Sequence, residues 1–492
     1  MPAMSYRICL ISAEVAPLSK TGGLADVAAA LAKYLHGAGH EILLVTPFYS
    51  AIDRAHLECS PVTGLQNIDL AVGPHRYRYS VSTALLPGSA VPVHLIDCPI
   101  LYARASIYTT DPDEHLRYLA LTRAAFDCCQ RLSFSPQILH AHDWHAAFAP
   151  LYLKVDYEWD RLFQNTRSVL TIHNIGYQGV FSASAVGDLG LGGRADRLHQ
   201  DDLRAGYINP LKHGILYADA ITTVSPTYAK EICTAEYGMG LQDALVARGA
   251  ALSGILNGVD YDAWDPSTDA YLTSHYDAAH LKTKAKLKGE FLARLGLSAG
   301  ARAPLIGVVS RLASQKGFDL IFDALPRALA ERAFTFVALG SGEPRYENFF
   351  AALAERFPTR VHFHRGYSEE LAHWIEAASD LFLMPSLYEP CGLNQMYSLR
   401  YGTVPLVRRT GGLADTVEPY DCSSRQGTGI VFADFTPEAF ARALAGALDL
   451  YAQRDHWRQL IVNGMRCDFS WTRQGGLYVA LYARLVREAT AA

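Results

Sequence analysis

The amino-acid sequence predicts an α/β protein of two doubly wound, Rossmann-like domains facing a central cleft. Three observations lead there. The chain has 492 residues, which at roughly 100–200 residues per domain calls for two large domains or three small ones. A strand-loop-helix-strand alternation opens the chain, gives way to polar text over 265–302 and restarts at 305, the pattern of parallel sheets covered by helices. The hexapeptide Thr-Gly-Gly-Leu-Ala-Asp occurs at 21–26 and again at 410–415, each time after a strand and loop and behind a base, Lys20 or Arg409. Two similar domains, each offering a Gly-rich helix start to a shared cleft, account for that repetition. Two unrelated helix starts that both use Gly are the plain alternative.

The elements follow in order. Residues 7–12 are strand-like, 14–20 a loop, and Thr21-Gly22-Gly23 start a helix that runs to about His36 before Gly39-His40 close it. The next strand is 41–46, and apolar runs recur at 91–96, 138–141, 168–172 and 220–224, separated by helical stretches. This carries the first domain through 1–257. A connector, 258–303, holds a short Lys-rich helix over 281–295. From 304 the alternation returns, with strands at 305–309, 334–339, 360–364, 381–384 and 404–407.

Composition narrows the function classes. Hydrophobic residues are 50% of the chain, and a net charge of -5 with no dense Lys/Arg tract argues against a nucleic-acid partner and suits a neutral polymer. No stretch reaches the roughly 18 apolar residues that span a bilayer, and 1–17 lacks the features of an export signal. A cytoplasmic protein with no membrane partner is expected. Nine scattered cysteines, an odd count without a C-x-x-C pair, are expected as reduced thiols.

The densest chemistry lies in 385–416. Pro385 ends a buried strand, a loop presents Glu389 and then Pro390-Cys391-Gly392, and 393–401 reads as a helix. The strand 403–407 runs into Arg408-Arg409, and Thr410-Gly411-Gly412 open a further helix. A carboxylate for hydroxyls beside amide-rich helix starts for phosphate oxygens suits a nucleotide sugar. A strand-loop-helix repeat with a surface Glu is the alternative. In 310–317, Arg311 and Lys316 stand five residues apart at a strand-to-helix turn. A guanidinium fork and a point charge suit a diphosphate leaving group, or else a solvated loop carries two charges.

Two further stretches end strands. His140-Ala-His142-Asp143-Trp144-His145 brings three imidazoles and a carboxylate together, and alternation puts His140 and His142 on one side. No further ligand spacing closes a metal site, so none is expected. Asp143 and Trp144 are expected to line the cleft, since a carboxylate with an aromatic makes a good sugar surface. His173, in 171–179, is directed at the same crevice or is structural. Gly340-Ser341-Gly342 lacks a third glycine and no P-loop motif exists.

Lys20-Thr-Gly-Gly-Leu-Ala-Asp-Val, the 140–145 and 171–179 stretches, Asn257-Gly-Val-Asp260, 311–317, Glu389-Pro-Cys-Gly-Leu and 408–415 stand in an order that closely resembles the glycogen and starch synthase family, over about 7–482. The resemblance implies the GT-B fold, with the second domain ending at 470 and a final helix, 471–492, crossing back onto the first. It implies cofactor-free and metal-independent retaining transfer of glucose from ADP-glucose to the non-reducing end of an α-1,4-glucan such as glycogen. It assigns Lys20, Gly22 and Gly23 to donor phosphate and sugar, and Arg311 and Lys316 to the departing diphosphate. His173 and Asn257 match positions near the glucose. Glu389, with Cys391, Gly392 and Leu393, matches the loop that binds its hydroxyls, joined by Thr410 and Gly411. Tyr367 matches an aromatic under the adenine, where stacking is worth roughly 1–3 kcal/mol. Tyr108, Asp143 and Trp144 fall on the acceptor side. One departure is Leu101-Tyr-Ala-Arg-Ala-Ser-Ile-Tyr108, where the family reads L-Y-D-R-P-G-x-P-Y; it bears on the acceptor side and the role of Tyr108. Asp111-Pro112-Asp113 resembles the metal-holding D-x-D of another glycosyltransferase class, yet reads better as a helix start.

The expected catalytic set is therefore Lys20, His173, Arg311, Lys316 and Glu389, with Glu389 orienting the glucose rather than attacking it, since no second carboxylate at a set separation is evident. Three other readings remain open: a retaining transferase using UDP-glucose or a small acceptor, a glucan-binding protein without turnover, and a pyridoxal-phosphate phosphorylase. The intact Lys20, Arg311, Lys316 and Glu389 weigh against the second.

Overall fold

The computed structural model describes residues 5–298 and 303–491, and the chain divides into two compact units. Unit 1 runs to Val224, resumes over Ala229–Gly258 and takes back the C-terminal segment from Trp471; unit 2 holds Ser225–Tyr228 and Val259–Ser470. Residues 1–4, 299–302 and 492, which touch the expected first domain, connector and final helix, lie outside the described residues.

In unit 1 the strands are β1 (Arg7–Ile11), β2 (Glu41–Pro47), β3 (Cys59–Pro61), β4 (Ile68–Val72), β5 (His75–Leu85), β6 (Pro92–Asp97), β7 (Ile138–His142), β8 (Arg167–Ile172), β9 (Phe181–Ser182), β10 (Tyr207–Ile208), β11 (Ala220–Thr223) and β12 (Leu252–Gly254). The main sheet has the order β12-β11-β8-β7-β1-β2-β6-β5-β3, with β4 also paired to β5. It is parallel from β12 to β6, with Leu10 of β1 beside Leu44 of β2 and His140 of β7. Continuous apolar strands are what a sheet buried on both faces demands. The helix Gly23–Gly37 buries Leu24, Val27, Ala28, Leu31 and Leu35, one stripe at helical spacing.

The sequence reading places no strand between 46 and 91, whereas β3, β4 and β5 lie there as an antiparallel extension. Their polarity hides them, since β5, between β6 and the short strands β3 and β4, alternates charged with aromatic residues. The signal that finds them is that alternation together with Gly73-Pro74, a two-residue turn joining Val72 to His75. The final helix, Trp471–Ala491, belongs to unit 1, where Tyr482 O–H lies 2.8 Å from His140 Nδ1.

In unit 2 the strands are β13 (Leu305–Val309), β14 (Thr335–Gly340), β15 (Val361–Arg365), β16 (Leu381–Met384), β17 (Val404–Arg408) and β18 (Ile430–Phe432). They pair in parallel in the order β15-β14-β13-β16-β17-β18. The segment read as a connector is fastened to this unit. Its helix, Lys282–Arg294, buries Leu287 and Phe291 in the same core as Trp374 and Ile375. Trp264 stacks between His373 at 3.8 Å and Tyr397 at 4.1 Å, and Asp269 accepts from His373 Nδ1 at 2.8 Å and Tyr401 O–H at 2.6 Å.

The α/β class and the two doubly wound domains expected from the sequence are those observed. All nine cysteines are free thiols, and among the described residues no helix is long and apolar enough to cross a membrane.

Candidate functional site

Each main sheet reverses its winding once, between β1 and β7 in unit 1 and between β13 and β16 in unit 2. In open α/β sheets, ligands bind outside the carboxyl ends of the strands at such a reversal. Lys20, Gly22, Gly23 and Asp143 follow the strands at the first reversal, and Arg311, Lys316, Glu389, Cys391, Gly392 and Leu393 those at the second.

In unit 2 the loop after β13 is laced to the loop after β16. Leu387 N–H donates to the Gln315 carbonyl at 2.9 Å, and Gln315 Nε2 to the Tyr388 carbonyl at 3.3 Å. Gly317 takes φ +69°, and a Cβ there would lie 2.0 Å from the Pro385 carbonyl oxygen, so only glycine fits. This turn delivers Lys316, whose Nζ is 2.6 Å from Glu389 Oε2; Ser386 Oγ donates to the same oxygen at 3.0 Å. Glu389 is 5% exposed. A buried carboxylate is costly unless paired and hydrogen-bonded, and here it is both. Arg311, on the same loop as Lys316, is solvent-exposed.

The second hexapeptide closes onto this loop. Gly412 N–H donates to the carbonyl oxygen of Glu389 at 3.0 Å, and a Cβ on Gly412 would stand 2.0 Å from the Cys391 carbonyl oxygen. The helices Asn394–Arg400 and Gly411–Thr416 thus begin side by side, with Leu393 and Thr410 as their caps. Gln395, which sequence reasoning missed, is fully buried and donates from Nε2 to the carbonyls of Cys391 and Gly392, both at 2.9 Å, and to Thr416 Oγ1 at 3.1 Å. Arg408 is buried and donates to the carbonyls of Ser386, Leu387 and Ala433, while Arg409 is exposed. Tyr367 stands apart on the loop after β15, 62% exposed, with its phenol donating to Glu369.

In unit 1 the loop after β1 carries a residue the sequence reading passed over. Glu14 is 2% exposed, and its carboxylate accepts from the Thr21 N–H, Thr21 Oγ1 at 2.7 Å, Gly22 N–H at 3.3 Å and the phenol of Tyr108. The amides at the first Gly-rich helix start are therefore held by the protein's own carboxylate, a favourable place for negative charge. Lys20 Nζ is exposed and 2.8 Å from Asp26 Oδ1. Gly22 is extended, and a Cβ on it would meet nothing within 4 Å. Gly23 begins the helix.

The Tyr108 ring stacks on His145 at 4.9 Å. Asp143 follows β7 with φ +53°, and its buried carboxylate accepts from the N–H groups of His173 at 2.7 Å and Asn174 at 3.4 Å. Burial pushes its pKa up to about 7 against the opposing pull of those N–H bonds, with the charge of Glu14 adding to the rise. His173 Nε2 lies 2.9 Å from His142 Nδ1, and His140 sits between Tyr482 O–H at 2.8 Å and Thr171 Oγ1 at 2.6 Å. Burial lowers the pKa of His140 and His173 well below the usual histidine value and that of His142 to about 3, so all three are neutral imidazoles.

His140 and His142 do share one side, with rings 4.2 Å apart; both nitrogens of His140 are hydrogen-bonded, whereas His142 Nε2 has no partner among the described residues. Trp144 meets Tyr118 edge-on at 4.9 Å. Asn257 is buried, and its Oδ1 has no hydrogen-bond partner among the described residues. Asp111 and Asp113 precede the helix Glu114–Arg131 and clasp Arg104, which donates to Asp111 at 2.6 Å and to both oxygens of Asp113 at 2.8 and 2.6 Å.

Arg311, Lys316, Glu389, Cys391, Gly392, Leu393, Thr410 and Gly411 thus lie on three adjoining loops in unit 2, those after β13, β16 and β17. In unit 1, Asp143 and His173 are joined directly, and Lys20, Gly22 and Tyr108 belong to the loops that Glu14 ties together.

Family models match the chain in two blocks, the starch synthase catalytic domain over residues 7–247 and glycosyl transferases group 1 over residues 298–461. A glycogen synthase of Anaeromyxobacter dehalogenans (strain 2CP-C) is 44% identical over 484 residues, 97% of this chain and 99% of its own. That of Thioalkalivibrio sulfidiphilus (strain HL-EbGR7) is 42% identical over 500 residues, 98% and 100% of the two chains. Among solved structures, the catalytic domain of starch synthase IV from Arabidopsis thaliana, bound to ADP and acarbose, matches with a TM-score of 0.91 at 35% identity, over 98% of this chain and 100% of that one. Sucrose-phosphate synthase from Thermosynechococcus elongatus, at 16% identity and a TM-score of 0.60, shares the fold.

Proposed function

Because the chain belongs to the glycogen and starch synthase family of GT-B glycosyltransferases, we propose that it moves glucose, with retention, from ADP-glucose to the non-reducing end of an α-1,4-glucan and releases ADP. The observation that carries this reading is the Lys316–Glu389 pair at 2.6 Å, a partly buried cation and a buried carboxylate at the carboxyl edge of one sheet. A donor with an anionic diphosphate and a neutral hexose needs both.

Lys316 has three protons to share between Glu389 and a diphosphate oxygen, and Arg311 adds a fork on the same loop. As the bond from C1 to the diphosphate oxygen breaks, charge develops on that oxygen, and these two cations neutralise it. The sugar becomes oxocarbenium-like, and the acceptor hydroxyl attacks C1 on the face the diphosphate leaves. Its proton departs with ADP. Glu389, held by Lys316 and Ser386, accepts from glucose hydroxyls and stays where it is, which suits an orienting group better than a nucleophile. Cys391, Gly392, Leu393, Thr410 and Gly411 frame the donor, and Tyr367 offers its exposed ring to the adenine.

From unit 1, Lys20 exchanges Asp26 for phosphate. Gly22 and Gly23 contribute close approach, since the Gly22 N–H is engaged by Glu14. Neutral His173, braced through its backbone by Asp143, and Asn257, with a buried oxygen lacking a partner among the described residues, serve glucose hydroxyls. Tyr108 and Trp144 serve the acceptor. The ADP in the Arabidopsis relative supports adenosine in the donor, and cytoplasmic glycogen is the natural acceptor, with no nucleic acid involved.

The test is the initial rate of nucleotide release with ADP-glucose and with UDP-glucose, each with and without glycogen. We expect glycogen-dependent release and a kcat/KM for ADP-glucose at least about tenfold higher, or about 1.4 kcal/mol of transition-state discrimination. Release of ADP that ignores added glucan would defeat the reading.

A further inference from the structure

The exposed ring of Tyr367 is tethered. It stands on the loop after β15 with 62% of its surface in solvent, where a side chain ordinarily exchanges among its staggered χ1 wells. Its phenol donates to Glu369, two residues on. Glu369 opens the helix Glu369–Ala378, which Ser368 caps by accepting from the Leu371 N–H at 3.2 Å. The cap fixes the backbone that carries Glu369, and the unpaired amides of the first turn favour a carboxylate there.

The carboxylate is anchored from behind. Oε2 takes the Tyr367 phenol, and Oε1 lies 3.6 Å from Nε2 of His373, one turn along the same helix. His373 is buried and cannot turn, because Trp264 stacks on its ring at 3.8 Å and Nδ1 lies 2.8 Å from Asp269 Oδ2. Asp269 is held in turn by the Tyr401 O–H at 2.6 Å and the Tyr271 N–H at 2.9 Å. Burial pulls the His373 pKa down, but the bonds to Asp269 and Glu369 outweigh it and raise the value above that of a free histidine, which favours the imidazolium. From core to surface the order is carboxylate, ring, carboxylate, phenol, and each member is placed by the one before it.

An ion pair with one partner this open to solvent adds little stability. What the series of bonds does fix is one rotamer of one exposed aromatic. We propose that Glu369 is a positioning residue for the donor, holding the Tyr367 ring in the orientation on which the adenine stacks. The proposal rests on the functional reading above, which gives Tyr367 to the adenine. A side chain free to use three staggered wells spends about one third of its time in any one of them, and apparent affinity falls in proportion to the competent fraction. Loss of the tether therefore weakens donor binding about threefold and leaves the bond-making step alone.

A short series of variants tests it. Glu369→Ala removes the acceptor, and Tyr367→Phe keeps the ring but removes the proton by which it is held. Each should raise the KM for ADP-glucose about threefold, with kcat and the KM for glycogen within about 1.5-fold, the pattern of lost ground-state binding. The double variant should do no worse than either single one, because both cut the same bond, whereas a merely structural carboxylate would add its effect to that of the ring. Binding of ADP, measured by calorimetry without glucan, should weaken in step. A KM for ADP-glucose within about 1.5-fold of the parent in Glu369→Ala, or single effects that multiply to about ninefold in the double variant, overturns the tether. Tyr367→Ala should raise that KM about fivefold or more. No change there overturns the adenine reading itself, so the two failures are distinguishable.

Discussion

Lys316 Nζ and Glu389 Oε2 stand 2.6 Å apart on loops that leave the hydrogen-bonded parallel strands β13 and β16. The carboxylate is buried and the ammonium partly so, and a carboxylate withdrawn from water needs such a partner.

Removing the ammonium acts twice. Lys316→Ala leaves Glu389 buried without its counter-charge, which costs about 3–5 kcal/mol. On the proposed function it also deletes a donor to the departing diphosphate, worth about 10²–10³-fold in kcat. Denaturant unfolding and steady-state rates should show both losses, and adding Glu389→Gln should restore stability without restoring kcat. A Lys316→Ala rate within about threefold of the parent contradicts the assignment.

Glu14 and Tyr108 should be coupled. Their hydrogen bond joins the loop after β1 to the altered 101–108 stretch, and the same carboxylate holds the start of the helix Gly23–Gly37. Hydrogen bonds to a charged group contribute about 1.5–3 kcal/mol, so Glu14→Gln should destabilise unit 1 by about that much. A double-mutant cycle with Tyr108→Phe should give an interaction energy of about 0.5–3 kcal/mol. Additive single effects would show that the two residues act independently.

Acid should weaken unit 1. Burial lowers the pKa of His142 and His145 to about 3 and also lowers those of His140 and His173, whereas unfolded histidines titrate near about 6.5. The unfolded chain therefore binds the extra protons, and this stability, complete above about pH 6.5, is lost as pH falls toward about 3. Asp143 has the opposite sign. Its folded pKa of about 7 exceeds the unfolded value, so its contribution is complete at low pH and fades as pH rises through 7. Four histidines oppose one carboxyl, and the urea midpoint should drop between pH 7 and 5. His142→Gln should flatten that slope. A midpoint that rises on acidification contradicts the account.

The two hexapeptides should respond differently to added methyl groups. A Cβ on Gly22 has open space and an extended backbone, so Gly22→Ala should fold within about 0.5 kcal/mol of the parent. Any large rate loss in that variant then reports a lost approach to substrate. A Cβ on Gly412 would sit 2.0 Å from the Cys391 carbonyl, so Gly412→Ala should cost about 1–3 kcal/mol through overpacking. Equal thermal midpoints for the two variants would contradict the difference in packing.

Much of the candidate site was legible because it falls at strand ends, where a continuous apolar run stops and Gly, Lys, Glu or His follows. Lys316 and Glu389 were found that way. Glu14 and Gln395 were not, since one stands in an unpatterned loop and the other inside a short helix, and only their partners reveal their work. The β3–β5 extension was missed because strands with one wet face lack a continuous apolar run, and the short strands β9, β10, β12 and β18 were missed with it.

By itself the sequence determined the class of fold, its two doubly wound domains, the positions of their central strands and the residue types offered at their carboxyl ends, because burial periodicity and turn chemistry are local properties of a chain. Tertiary structure alone decided which of those residues meet. Lys316 reaches Glu389 across 73 residues, Glu14 takes the amides that a helix start would otherwise offer to phosphate, and Asp143 is spent on the His173 backbone. These pairings depend on the order in which strands pack and on which buried charge needs a partner, and neither is written in spacing along the chain.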